Sequence, residues 1–210
     1  MSKSASHTGN ADTREKILDA AETLFIEHGF AATSLRAIAA QAEVNLAATN
    51  YHFGSKMGLL SAVCHRTIEP INTLRLSKLK VLEESEDSLT IRGILESLFM
   101  PLIESGPRQN LTAIMGRIYS EPESITKPIM ETEFSEVAMR FQAALAKVLP
   151  DIPQDVLRWR FHFMIGSMIH LLQFQSPLIA PSPAQLTLGI HELIEYSIAG
   201  LTHHGVTPDA

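Results

Sequence analysis

Apolar residues recur three and four positions apart through nearly every segment of this chain, and nowhere do they sustain the alternation of a half-buried strand. Such a pattern restricts the fold to helices packed on helices, an all-α protein of about nine helices. Asp12 with Glu15 forms a capping-box pattern before a stripe of Ile17, Leu18, Ala21, Leu24 and Phe25, and Gly29 is placed to end that first helix. Thr33 or Ser34 caps a short second helix that turns Leu35, Ile38 and Ala39 inward. A third begins near Asn45 and stops around Tyr51. Ser55 caps a long fourth helix through Leu59, Leu60, Val63, Cys64 and Ile68, with Pro70 placed to kink or interrupt it. Beyond residue 86 the prolines act as punctuation, and helices are expected near 87–104, 108–120, 124–148, 154–176 and 183–203. Ser182, Pro183 and Gln185 mark the last start with a cap, a first-turn proline and a capping-box partner.

With 210 residues the chain is long enough for a small domain joined to a larger one. The longest apolar run, Phe161 to Phe174, is too short for a membrane span and contains His162, His170 and Gln173, so no membrane association is expected. Residues 1–12 are small and polar without an apolar h-region and read as a disordered leader, from which a cytoplasmic location is expected. The single cysteine, Cys64, sits among apolar neighbours and reads as a small buried hydrophobe. A formal charge of −6 argues against general coating of nucleic acid. Residues 1–56 hold Lys3, Arg14, Lys16, Arg36 and Lys56 against six carboxylates, so any phosphate contacts must be few and well placed.

The second helix, a tight turn at Gln41 to Val44, and the third helix have the lengths of a helix-turn-helix whose second member enters the major groove. Spacing alone leaves DNA binding open, because many three-helix modules do not bind DNA. The residues add to it. Thr33-Ser34-Leu35-Arg36-Ala37-Ile38-Ala39, followed by Val44-Asn45-Leu46-Ala47-Ala48-Thr49-Asn50-Tyr51-His52-Phe53-Gly54-Ser55-Lys56, closely resembles the N-terminal signature of the TetR family of transcriptional regulators, from about Arg14 to Leu60. The resemblance implies a two-fold dimer with an N-terminal DNA-binding head and a C-terminal core that binds a small ligand and thereby releases operator DNA.

On that resemblance the chain divides into a leader at 1–12, a helix-turn-helix domain at 13–58 and a ligand-sensing and dimerisation domain at 59–210. Thr33 and Ser34 open the second helix and Asn45 the third. Arg36 would reach a base edge or phosphate, Leu46, Ala47, Ala48 and Thr49 would face bases, and Asn50, Tyr51, His52 and Lys56 would hold the backbone. A guanidinium can fork onto guanine, and small alanines let a helix approach thymine methyls. With so few donors in the third helix, DNA shape and thymine contacts are expected to carry much of the specificity. Two departures from the family pattern stand out: Glu43 occupies a position where glycine usually follows the second helix, and Asn50 stands where tyrosine is frequent. If the turn needs a positive φ, Glu43 costs on the order of 1 kcal/mol.

The segment 154–176 is apolar on most of its circumference and needs cover all round. Together with the final helix it is expected to form a four-helix interface with a second copy through Phe161, Ile165, Met168, Ile169, Leu172, Ile190, Leu193 and Ile194. Phe99, Met100, Met115, Met130, Phe134, Met139 and Phe141 are candidates for an adaptable apolar pocket. A fatty-acid-responsive subset of the family shares the wording of the third helix, so the expected effector is an apolar molecule such as a fatty acid or acyl-CoA. His162, His170 and His191 lack carboxylates or cysteines at ligand spacing and read as structural, so no metal and no cofactor is expected. An enzyme is disfavoured, since no nucleophile elbow, phosphate-binding loop or zinc pattern occurs. A helical adaptor that binds protein through its apolar C-terminal faces is the remaining alternative.

Overall fold

A computed structural model describes residues 5–84, 89–104, 109–173 and 183–203 of the chain. Among these residues the secondary structure is helical, in the order α1 (Ala5–Ala32), α2 (Leu35–Gln41), α3 (Leu46–Phe53), α4 (Lys56–Glu83), α5 (Ile91–Phe99), α6 (Pro101–Glu104), α7 (Gln109–Ser120), α8 (Glu123–Val148), α9 (Gln154–Gln173) and α10 (Pro183–Thr202). The four-residue α6 raises the count above the nine expected. Helix α1 starts at Ala5 rather than at the expected Asp12 cap, and Asp12 instead pairs with Lys16 one turn on, at 2.8 Å. The expected leader is therefore helical from Ala5 onward. The Ser182 cap of α10 lies outside the described residues.

Pro70 interrupts nothing: α4 runs through it, as α8 runs through Pro128. A proline removes one backbone donor from an otherwise complete ladder, and long helices with packed faces tolerate that loss. Gly29 acts as the expected breaker, and Gly54 is a second one beyond those expected. Gly29 takes φ 80 and interrupts the helical path of α1, and Gly54 takes φ 69 at the end of α3.

The chain forms two compact units, Met1–Glu69 with Gln109–Glu133 and Pro70–Arg108 with Phe134–Ala210. The first is therefore larger than the expected 13–58 head. It takes in the start of α4, all of α7 and the start of α8, because α7 packs on α1. Arg117 of α7 donates from Nε to the Ile26 carbonyl at 2.7 Å and from a terminal nitrogen to the Glu27 carbonyl at 3.0 Å. Glu121 accepts from the backbone N–H of Phe30 at 2.8 Å. Within the same unit Arg66 of α4 ties α1 down by pairing with Glu15, Asp19 and Glu22. Cys64 is buried there, and burial, reinforced by the Glu133 carboxylate, pushes its thiol up to about 12, so it is inert packing, not a nucleophile.

The second unit has a continuous apolar core in which Leu79, Ile94, Leu95, Leu98, Phe99, Phe141, Leu145, Phe161 and Ile190 are almost completely buried. Helices α9 and α10 pack on each other, and α10 also packs on α5. Arg160 caps the end of α10 by donating to the carbonyls of Leu201 at 2.7 Å and His203 at 2.6 Å. A bidentate pair between Arg92 and Glu195, at 2.6 and 2.9 Å, links α5 to α10. No helix among the described residues is long and apolar enough to cross a membrane.

Replacement of Gly29 by alanine is expected to destabilise the protein by about 1–2 kcal/mol, since φ 80 is unfavourable for an L side chain. The added Cβ would also stand 3.2 Å from the Glu121 carboxylate. A thermal melt of Gly29→Ala indistinguishable from the unmodified protein would show that the break is not required.

Candidate nucleic-acid interface

Helices α2 and α3 are too short to persist alone, and their starts are fixed by side chains that precede them. Ser34 adopts an extended backbone and its hydroxyl accepts from the Ala37 N–H at 3.1 Å. Asn45 does the same for α3, its amide oxygen accepting from the Ala48 N–H at 2.7 Å. The turn between them closes through Val44 N–H to the Ala39 carbonyl at 2.9 Å, with Glu43 at φ 54. The suspected departure from the family's glycine is therefore real, and a glutamate occupies left-handed backbone. Ile38, Ala39 and Ala42 face inward and anchor the pair against α1.

The outer surface of this pair carries Arg36, Ala37 and Ala40 from α2, and Ala47, Asn50 and Tyr51 from α3, all exposed. Tyr51 is 79% exposed, and its ring meets that of His52 edge to face at 5.3 Å. Leu46, Ala48 and His52 lie half-buried on the flanks of the same helix. Ser34 and Asn45 are exposed but their side-chain oxygens are engaged as caps.

Three expected contact residues turn inward instead. Thr33 is buried, its hydroxyl donating to the carbonyls of Leu24 and Gly29 at 3.1 and 2.7 Å. Thr49 is 1% exposed, and its hydroxyl has no hydrogen-bond partner among the described residues, so it serves as packing. Lys56 points into the unit: Nζ donates to the carbonyls of Phe30 at 2.8 Å and Thr33 at 2.9 Å, more weakly to Ala31 at 3.5 Å, and lies 4.3 Å from the centre of the Phe30 ring. Its three N–H groups answer the orphan carbonyls at the end of α1, a demand that the linear sequence does not display.

The other expected constellations also change. Phe161, Met168, Ile190, Leu193 and Ile194 are buried within their own chain, and Ile165, Ile169 and Leu172 pack against the same core, so the expected interface set faces inward. The outer faces of α9 and α10 carry Trp159, Phe163, Leu188 and Tyr196. An all-round apolar helix gives no cue to which side meets the core, and the choice made from spacing is the inward one. Of the expected pocket set, three residues share the second unit's core. Phe99 and Phe141 are fully buried in the second unit's core, Met100 packs against that core, Phe134 is half-buried, and Met139 is 66% exposed. Met115 and Met130 belong to the first unit.

Sequence reasoning missed Arg75, which is 3% exposed on α4. Its Nε donates to the Leu98 carbonyl at 2.8 Å, and its terminal nitrogens reach the Asn72 amide oxygen at 3.1 Å and the Met168 sulfur at 3.8 Å. The available signal was an Asn-x-x-Arg pair on the inward stripe of an otherwise apolar helix. No group of three or more His, Cys, Asp or Glu among the described residues is arranged to hold a metal.

Two outcomes check this geometry. Glu43→Gly relieves the left-handed strain and is expected to stabilise the protein by about 1 kcal/mol, read as a raised midpoint in denaturant. Lys56→Arg keeps the charge that a phosphate would need but replaces a compact ammonium by a planar fork that fits three convergent carbonyls poorly. It is expected to lower the melting temperature, by an amount equivalent to about 1–3 kcal/mol. An unchanged melt would return Lys56 to the outer surface.

Residues 17–63 match the model for "Bacterial regulatory proteins, tetR family", and residues 96–200, half of the chain, match "Tetracyclin repressor-like, C-terminal domain". The probable HTH-type transcriptional regulator YttP of Bacillus subtilis is 29% identical over 134 residues, a match covering 62% of this chain and 61% of that protein. An HTH-type transcriptional repressor of Mycobacterium tuberculosis is 48% identical over 56 residues, covering 27% of this chain and 30% of the repressor. The chain thus spans less than two thirds of either relative. Among solved structures, the SmeT–triclosan complex is similar with a TM-score of 0.66 at 22% identity, covering 94% of this chain and 98% of SmeT, which shows a shared fold. Matched at both ends by models of one family, the chain belongs to the TetR family of transcriptional regulators.

Proposed function

We propose that the chain is a homodimeric repressor that binds operator DNA through α2 and α3 and is released by an apolar small molecule. The observation that carries the first part is the doubly capped α2–α3 pair, whose exposed outer face presents Arg36, Ala47, Asn50 and Tyr51 together. Arg36 supplies a guanidinium for guanine or phosphate, Asn50 an amide that matches adenine, and Tyr51 a phenol for the backbone. His52 lies beside Tyr51 and would join the phosphate contacts.

Dimerisation is assigned to the outer faces of α9 and α10. Trp159 and Phe163 stack at 5.8 Å and are 62% and 63% exposed, while Leu188 and Tyr196 are 54% and 70% exposed. A large aromatic cluster left in water on a regulator's body marks an association surface. Gly166 and Gly200 face open space, where a second copy would approach closely. Two heads related by a two-fold would read half-sites about one helical turn apart or a multiple of it.

The effector is proposed to be apolar, as triclosan in the SmeT complex is, and a fatty acid or acyl-CoA is kept as its class on the resemblance noted for the third helix alone.

Selection of binding sites from random duplex DNA, followed by a gel shift with the selected site, is expected to give a palindrome bound by two copies. The double variant Trp159→Ala with Phe163→Glu is expected to elute as a folded monomer in light-scattering chromatography and to lose at least tenfold in operator affinity. Failure to select any duplex would end the regulator reading, and a variant that stayed dimeric would move the interface elsewhere. A panel of long-chain fatty acids and acyl-CoA that left both the shift and the melting temperature untouched would remove the proposed effector class.

A further inference from the structure

The reading head has few charges, and most of them are already committed. Between residues 13 and 58 the cations are Arg14, Lys16, Arg36 and Lys56, against Glu15, Asp19, Glu22, Glu27 and Glu43. Arg14 pairs with Glu15 at 3.0 Å and lies over the Phe53 ring at 5.5 Å. Lys16 pairs with Asp12 at 2.8 Å. The ammonium of Lys56 serves the carbonyls of Phe30 and Thr33. Arg36 remains, exposed and unpaired among the described residues of this segment. The other exposed side chains of α2 and α3 include Ala37, Ala40, Ala47, Asn50 and Tyr51, which offer methyl, amide and phenol groups.

We infer that this head recognises its operator chiefly through thymine methyls and neutral hydrogen bonds, with Arg36 as the one cation of the described 13–58 segment that engages DNA. The inference rests on the operator-binding reading above and goes further by naming the base chemistry and the electrostatic footprint. Alanine side chains offer a groove neither donor nor acceptor. In the major groove the base group that rewards contact with them is the C5-methyl of thymine, and the small side chain lets the helix backbone come close enough to make that contact. Asn50 extends the same preference, because an amide pairs with adenine N6 and N7. The operator half-site is therefore rich in A·T pairs where α3 lies. Within residues 13–58 five carboxylates stand against four cations, so few counterions are released on binding.

The consequence is a shallow salt dependence. One cation on each of two heads gives a slope of log K against log[salt] of about −2, where binders with six to ten phosphate contacts fall several times more steeply. The test uses the unmodified full-length protein and its selected operator in fluorescence anisotropy across a salt series. A second operator carries deoxyuridine in place of thymidine at the positions protected in footprinting. Removal of each contacted methyl is expected to weaken binding by about fourfold. Arg36→Ala is expected to flatten the slope towards zero in addition to weakening binding. A slope steeper than about −4, or deoxyuridine substitution without effect at every protected position, overturns the inference while leaving operator binding intact. Failure to bind any duplex overturns the operator-binding reading itself, so the two failures are told apart by whether a complex forms at all.

Discussion

The reading head depends on how the C-terminal end of α1 is closed. A helix leaves its last carbonyls without partners, and here the path breaks at Gly29 before the chain enters α2. Lys56 supplies donors to Phe30 and Thr33, Arg117 to Ile26 and Glu27, and Thr33 folds its own hydroxyl back onto Leu24 and Gly29. The bonds of Thr33 and Lys56 reach buried or half-buried backbone, where an unmet carbonyl costs about 1–3 kcal/mol, and those of Arg117 lie at the surface. The cationic donors come from α4 and α7, so the end of α1 is the place where three helices of the first unit are stitched together. The angle at which α2 leaves is set there, and the outer face of α3 follows from it.

That dependence explains which parts of the site were legible in the sequence. Caps and breakers act over three or four residues, and Ser34, Asn45, Gly29, Gly54 and the left-handed Glu43 all sit where local chemistry places them. Lys56 is different. Its partners lie more than twenty residues away, and nothing in the wording of α3 and α4 distinguishes a lysine that leaves the surface from one that enters it. The same limit applies to Thr49, whose inward direction depends on how α3 rotates against α1. Pro70 misled in the opposite sense: as a local signal it argues for a break, but α4 runs through it, and α8 runs through Pro128 as expected.

The body shows why a helix that is apolar all round is hard to orient. In α9, Phe161, Met164 and Met168 form one stripe and Trp159 and Phe163 another, and either is a credible inner face by spacing. What decides between them is the shape of the surface they meet. Ile190, Leu193 and Ile194 of α10 close over the first stripe, and this leaves the larger, flatter aromatic rings outside. Tryptophan stacked on phenylalanine tolerates partial exposure and serves a protein surface well, since it offers wide contact at little loss of side-chain freedom. The same unit hides Arg75 where composition had pointed to methionines, because composition counts residue types and says nothing of which helix face each one occupies.

The net charge of −6 at first argues against a partner as anionic as DNA. The placement of the cations removes the contradiction. Arg66 binds three carboxylates, Arg117 and Lys56 bind backbone carbonyls, and Arg92, Arg140 and Lys147 pair with glutamates in the second unit, so positive charge in this protein is largely structural cement. A head built this way holds a defined shape without a basic surface. On the proposed operator-binding reading it gains little from nonspecific attraction to a phosphate backbone, which raises the ratio of specific to nonspecific binding. For a regulator that must let go of DNA when an effector arrives, a weak electrostatic hold has a further effect. The change in head geometry needed to dissociate the complex is smaller when complementarity of surfaces, and not net charge, keeps it bound.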